Sequence, residues 1–213
     1  MKALKIIGVA GVLMGLVSGS AMAAGEGIYV DLGVGTGKVN LPNIAGVNLD
    51  NKTTGYSFGA GYNINKFVAA EVGYQHMGDV AYSASGAVTG TYQGSPFTIT
   101  ASGQLAAENT KGWYFGPKFS LPINDQFELN ARLGLFNWDT TVRLSGTAGV
   151  SYGGQTVVGA GSISKDYDGT DSYYGVGAAY NINKNIAVGI DYTQYKIDEY
   201  KVDTWGIKAK YSF

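Results

Sequence analysis

From residue 28 onward the chain alternates. Ile28, Val30, Leu32 and Val34 are apolar, while Tyr29, Asp31, Gly33 and Gly35 lie between them. The same period of two returns in Tyr56, Phe58, Ala60, Tyr62; in Val68, Ala70, Val72, Tyr74; and in Trp113, Phe115, Phe119, Leu121. It continues in Phe127, Leu129, Ala131, Leu133, Leu135; in Tyr174, Val176, Ala178, Tyr180; and in Ile186, Val188, Ile190, Tyr192. A period of two is a β-strand with one apolar and one polar face. Each segment is about ten residues, the length a tilted strand needs to cross a bilayer. The final segment alternates as well, with Trp205, Ile207, Ala209, Tyr211 and Phe213 on its apolar face. Fraying would expose a terminal Phe in a soluble protein. The closing strand of a membrane barrel instead sets such a residue against lipid, and these five residues are the expected terminal assembly signal.

Three short segments separate pairs of strands with related chemistry: Tyr62-Asn63-Ile64-Asn65-Lys66, Leu121-Pro122-Ile123-Asn124-Asp125 and Tyr180-Asn181-Ile182-Asn183-Lys184. Their Ile-Asn pairs recur every 59 residues, at 64, 123 and 182. Asn tolerates left-handed backbone angles and Pro pre-sets a turn, so each segment reads as a tight connection. Three turns join six strands, and the first and last strands bring the number to eight. The remaining connections, near 38–52, 77–111, 138–171 and 196–203, are longer. The pattern predicts an all-β, eight-stranded antiparallel transmembrane barrel, an up-and-down meander with three short periplasmic turns and four extracellular loops. The second and third loops alternate Val, Tyr and Ile among Gly, Ser, Thr and Ala, a pattern that allows them to continue as hairpins.

The amino terminus changes the compartment. Met1-Lys2-Ala3-Leu4-Lys5 is basic, Ile6 to Val17 is apolar, and Ala21-Met22-Ala23 has the small-x-small form of a cleavage site. Residues 1–23 are therefore expected to be a cleaved secretory signal of the Sec pathway, and 24–213 the barrel. Cleavage would leave 190 of the 213 residues and, by removing two lysines, take the formal net charge from −1 to −3. Charge so near zero argues against nucleic acid as a partner. With no cysteine, a disulfide, thiolate metal site or thiol nucleophile is excluded. The polar face of the strands is mostly Gly, Ala and Ser, and charged residues are only 15% of the chain. Small residues suit the inside of a narrow barrel better than the solvated surface of a soluble sandwich.

The stretch Phe67-Val68-Ala69-Ala70-Glu71-Val72-Gly73-Tyr74 resembles a strand of the transmembrane domain of the outer-membrane protein A (OmpA) family. Gly116-Pro117-Lys118-Phe119-Ser120-Leu121-Pro122-Ile123-Asn124-Asp125, with Ala131-Arg132-Leu133-Gly134 and Trp138, extends the resemblance. It implies a barrel with a polar, partly plugged interior in the outer membrane of a Gram-negative bacterium. The family's peptidoglycan-binding domain is not expected to accompany this barrel, so a wall-anchoring role is not expected to carry over. Outer-membrane lipid and lipopolysaccharide are the expected surroundings, with periplasmic chaperones and the barrel-assembly machinery as partners during biogenesis. An extracellular ligand of the loops stays open.

By parity the lumen receives Asp31, Glu71, Glu128 and Asp191 against Lys118, Arg132, Lys208 and Lys210. Four against four is neutral, as a closed interior of ion pairs requires, because unpaired charge is costly away from water. The resemblance implies an internal ion network at Glu71, Lys118 and Arg132. Ala179 and Gly189 stand where the family carries a lumenal acid and an Arg, so Asp191 and Lys208 are expected to re-form a different set of pairs, with Glu71 or Glu128 beside Arg132. His76, the single histidine, lies near Ser83 and Ser85 in sequence, but no orienting third group accompanies them, and a solvated rim histidine is expected. Asp166-Tyr167-Asp168-Gly169-Thr170-Asp171 is oxygen-rich, yet its Gly comes too early for an EF-hand loop, so a solvated turn is the simpler reading than a Ca²⁺ site. Gly33-Val34-Gly35-Thr36-Gly37-Lys38 has the wrong spacing for a phosphate loop. Neither a catalytic site nor a cofactor is expected. Three function classes follow: a structural surface barrel presenting its loops for envelope integrity or attachment, a narrow porin-like channel for small solutes, and, least supported, a lipid-modifying barrel enzyme.

Overall fold

The computed structural model describes residues 27–39, 48–50 and 52–213. The proposed leader, residues 1–23, and most of the first long connection lie outside these. The strands are β1 (Gly27–Val39), β2 (Asn48–Asp50), β3 (Lys52–Asn63), β4 (Val68–Tyr92), β5 (Ser95–Pro122), β6 (Phe127–Tyr152), β7 (Gln155–Asn181), β8 (Ile186–Ile197) and β9 (Tyr200–Ser212). Eight of them pair antiparallel in chain order, and β9 pairs back onto β1, with Val30 opposite Tyr211 and Asp31 opposite Lys210, so the ring closes. A closed sheet leaves no backbone edge to lipid, the condition a β-structure must meet inside a bilayer. The short β2 stands apart and pairs only with Ala81–Ser83 of β4.

Large apolar side chains on the outer wall are exposed, among them Leu32, Val34, Leu133, Ile190 and Ile207. Tyr29, Asp31, Glu71, Lys118 and Arg132, on the opposite face, are buried. Outward apolar and inward polar is the polarity of a membrane barrel. On this wall Trp113 meets Phe58 and Tyr74 edge-on, those two rings stack on each other, and Tyr192 packs on Trp205.

The three short turns share one geometry. In each, the Ile N–H donates across the turn, from Ile64 to Val68 O, Ile123 to Phe127 O and Ile182 to Ile186 O. The Asn that follows accepts two backbone N–H bonds on its Oδ1: Asn65 from Phe67 and Val68, Asn124 from Gln126 and Phe127, Asn183 from Asn185 and Ile186. The sequence expectation of left-handed angles there is corrected, because none of these three Asn residues has positive φ. Their use is the side-chain acceptor of an Asx turn, which satisfies N–H groups the bend would orphan.

At the opposite end the expected loops are largely strand. β4 to β7 run 25, 28, 26 and 27 residues, well beyond the ten expected for each. β4 and β5 meet at Gln93-Gly94 (φ 49° and 79°) and β6 and β7 at Gly153-Gly154 (φ 55° and 83°). Positive φ at both central residues is the hairpin turn whose twist matches its strands. From Val80 to Tyr92 the sheet rises roughly 40 Å at about 3.3 Å per residue.

Candidate functional site: a filled lumen beneath an open sheet

The lumen is built in two layers, and glycines make both fit. A Cβ on Gly61 would overlap the Tyr29 ring, and one on Gly73 the Tyr114 ring. These bare stretches of β3 and β4 let two tyrosines lie across the barrel, where any larger residue would collide.

The lower layer is ionic. Arg132 on β6 places Nε 3.1 Å from Glu71 Oε2 on β4 and Nη1 2.6 Å from Asp191 Oδ1 on β8. The first is a contact of charges without hydrogen-bond alignment, since Arg132 Nε and Glu71 Oε2 both lack a hydrogen-bond partner. The second is an aligned hydrogen bond. Tyr29 donates its hydroxyl to Glu71 Oε1 at 2.5 Å. Beneath, Lys118 Nζ lies 3.2 Å and Lys210 Nζ 4.0 Å from the two oxygens of Glu128, which also accepts from Ser120 Oγ at 2.9 Å. Lys208 Nζ lies 3.6 Å from Asp31 Oδ1. The residue pairs differ from the sequence expectation in one respect: the acids on Arg132 are Glu71 and Asp191, while Glu128 belongs to the two lysines. Lys118 and Lys210 face the Tyr29 ring and Lys208 the Tyr114 ring, at 5.3, 5.6 and 5.7 Å, so the aromatic faces also carry part of the cationic charge.

Where Ala179 and Gly189 stand, the wall leaves a gap of about 30 Å³ beside Tyr29, Arg132 and Asp191. That is about the share of a single water molecule in the liquid. Asn130 Oδ1, which borders it, has no partner of its own.

The upper layer is aromatic. Tyr114, Phe136, Tyr173 and Tyr195 pack ring to ring at 4.7–5.6 Å, capped by Met77, Trp138, Ile197 and Val202. Asp171 locks this lid to the rim. It accepts from Trp138 Nε1 at 3.0 Å and from the backbone N–H of Asp198, in the β8–β9 turn, at 2.9 Å, and Lys196 lies 3.7 Å away. Below the ionic layer the lumen widens to an open vestibule of about 640 Å³ at the short turns. Above the aromatic layer an apolar cavity of about 380 Å³ opens at the other mouth.

At that rim the polarity of the wall inverts. In β6 the inward positions change from Asn130 and Arg132 to Val142, Leu144, Ala148 and Val150, while the outward ones change from Leu133 and Leu135 to Asp139, Arg143 and Ser145. β4 and β5 cross the same boundary through bulges at Gly78 and Asn109, both with positive φ, Asn109 N–H donating to Asp79 Oδ1 at 2.6 Å. The inner face above the rim is thus a row of Tyr82, Leu105, Leu144 and Ile163, and higher a row of Val88, Ile99, Val150 and Val157. Between them lie Ala84, Gly103, Gly146, Gly161 and Gly86, Ala101, Ala148, Gly159. The outer face carries Ser/Thr ladders such as Ser102–Thr147 and Ser151–Thr156. Tyr82, above the membrane, is held above the usual tyrosine range by partial desolvation and then by Tyr200 across the mouth.

The other candidates fall apart in space. His76, half-buried beside the bulge at Gly78, stacks on Tyr56 at 4.9 Å and accepts the Gly78 N–H on its Nδ1 at 3.2 Å. Ser83 and Ser85 stand about seven and nine residues higher on β4, at least roughly 20 Å away by strand rise, so no triad forms. The 166–171 segment is strand, not a turn, and its acids divide between the two faces: Asp166 and Asp168 lie on one, where Asp166 accepts from Thr141, and Asp171 on the other, where it faces Trp138. Among the described residues no group of three His, Cys, Asp or Glu could hold a metal. Gly33–Lys38 lies within β1, not on a phosphate-binding turn.

The fold and its polarity define a membrane β-barrel. The family profile for the outer membrane protein beta-barrel domain matches residues 9–213, and the chain belongs to that family, which places it in the outer membrane of a Gram-negative bacterium. It is 26% identical over 153 residues to outer membrane protein A of Shigella flexneri, covering 71% of this chain and 35% of that protein, so the chain spans about a third of that relative's length. Ail of Yersinia pestis, solved in complex with the heparin analogue sucrose octasulfate, is similar with a TM-score of 0.47 and 20% identity, covering 89% of this chain and 99% of Ail. Neisserial surface protein A has a TM-score of 0.39 and 13% identity, covering 87% and 97%.

Proposed function

We propose that the protein is a structural surface barrel that holds a tall β-sheet outside the cell, and that its lumen is a plug and not a conduit. The observation that carries this reading is the Arg132 cluster. One guanidinium ties β6 to both β4 and β8 across the lumen, with two further paired groups beneath it and a packed aromatic layer above. A group of buried charges that is balanced and mutually paired resists hydration and opening, because separating any pair strands a charge. The reading includes a leader at residues 1–23, removed on export, and assembly through the terminal strand Trp205–Phe213 by chaperones and the barrel-assembly machinery. The Ser/Thr outer face of the sheet suits contact with polar surface material, lipopolysaccharide or an extracellular partner. Among the described residues His76 stands apart from Ser83 and Ser85, so the reading assigns the protein no catalytic role.

Shortening separates the two forms of this role. A variant lacking 84–103, with its ends rejoined by a two-residue turn, should still give a heat-modifiable band on unboiled gels, since the removed pairs lie above the barrel. In a strain lacking the parent protein, rescue of detergent resistance by this variant assigns an envelope role. Rescue of surface attachment only by the full-length chain assigns a presenting role. Failure of the full-length chain to restore either property would overturn the proposal.

A further inference from the structure

The inverted face above the rim has a cost that a merely polar surface hairpin would avoid: Val157 is 74% exposed and Ile163 70%. Single exposed apolar residues need no explanation, whereas a continuous apolar face in a membrane protein's aqueous part marks a contact site. At its base it runs into the cavity of about 380 Å³, whose wall is formed by Val80, Tyr82, Leu105, Ala107, Val142 and Tyr167 on one side and Ile197 and Val202 on the other. The floor is Met77 and Trp138. Asp198 is the one carboxylate among the lining residues, and its backbone is held by Asp171.

We propose that this cavity binds one acyl chain, entering from the extracellular side and lying with its methyl end on Trp138. Four features select that occupant. The volume is within the range of small-molecule sites, and at about 30 Å³ per water-sized group it holds a chain of roughly a dozen carbons. Its walls are mainly apolar, and the Thr110 and Thr140 hydroxyls in them are bonded to each other, whereas a cavity needs open polar partners to hold ordered water. The trough of Gly and Ala between the two aliphatic rows continues upward from the cavity and leaves room for an extended chain. At the mouth, on the inner face opposite Val142, stands Lys165, its ammonium 5.0 Å over the Tyr167 ring. With the hydroxyls of Tyr82, Tyr167 and Tyr200 it supplies a polar rim for an anionic head group. The aromatic layer closes the floor, so the chain is bound and not passed on.

The protein carries three tryptophans, and only Trp138 lies at the cavity; Trp113 and Trp205 face lipid. Full-length mature protein with Trp113→Phe and Trp205→Phe, folded into nanodiscs of unlabelled phospholipid, therefore reports on the cavity alone. Added laurate carrying bromine at its terminal carbon should quench Trp138 saturably, reaching a plateau at stoichiometric probe. Ala107→Phe and, independently, Val142→Phe fill the cavity and should abolish that quenching while each keeps the heat-modifiable band. Lys165→Ala should weaken quenching by brominated laurate more than by the corresponding brominated alcohol. Nanodiscs made with terminally brominated phospholipid test the source: quenching without added laurate assigns the chain to the surrounding membrane, and quenching only on adding laurate assigns it to a free fatty acid. No quenching of Trp138 by either probe, or quenching that rises linearly and is equal in the filled variants, would overturn the site. The apolar face would then fall to a protein partner or a second copy of this chain.

Discussion

Arg132 Nη1 and Asp191 Oδ1 sit 2.6 Å apart, joining β6 to β8 through the middle of the barrel. On its other side the same guanidinium meets Glu71 of β4. Three strands spread around the ring are thereby fixed by one side chain. Neutralising it leaves two buried carboxylates without their shared cation.

Arg132→Met should destabilise the barrel by about 3–5 kcal/mol, the usual cost of breaking a buried pair. Arg132→Met with Glu71→Gln and Asp191→Asn should recover most of the loss, because the stranded charges are gone. Arg132→Met with Glu128→Gln should recover none of it, since Glu128 answers to Lys118 and Lys210. Urea unfolding in lipid vesicles followed by tryptophan fluorescence checks the three variants.

Glycines in the wall differ in what they permit. Gly73→Val places its side chain in the Tyr114 ring, whereas nothing lies within 4 Å of a Cβ on Gly86. Gly73→Val should abolish the heat-modifiable band and Gly86→Ala should leave it unchanged. Equal behaviour of the two would show that Tyr114 does not fill the lumen as described.

Much of this was legible in the chain. The period of two, the three Ile-Asn turns and the closing aromatic strand dictate an eight-stranded ring, because the lipid side of each strand admits only apolar residues and so fixes its phase. The inward direction of Asp31, Glu71, Lys118 and Arg132 follows from the same phase. Which acid meets which base does not, since stagger around a closed barrel sets the neighbours and Glu128 lies too far down the lumen to reach Arg132. The alternation of Val, Tyr and Ile in 77–111 and 138–171 already points to hairpins, which β4–β5 and β6–β7 form, while the inversion of their apolar face is hidden among Gly, Ser and Thr. The signal that finds it is the exchange of apolar residues from odd to even positions along β6 past Phe136. In β4 and β5 the bulges at Gly78 and Asn109 break that count, which hides the apolar inner face from any reading of strict alternation.

Phe213 is 71% exposed on the lipid side, and its backbone N–H donates to Ile28 O at 3.0 Å. Burial of one such side chain contributes only about 1.5–3 kcal/mol. Removal of Phe213 should therefore leave refolding into vesicles nearly intact while sharply lowering the inserted protein in cells. Equal insertion in cells would contradict its part in assembly.

The closed lumen is tested most directly by the conductance of single refolded barrels in planar bilayers, comparing the parent with Arg132→Ala. The account predicts little or no steady current through the parent. A larger and more frequent current is predicted for Arg132→Ala, in which the tie between β4, β6 and β8 is gone. A large, stable conductance in the parent, unchanged by Arg132→Ala, would contradict the plug and make the barrel a channel.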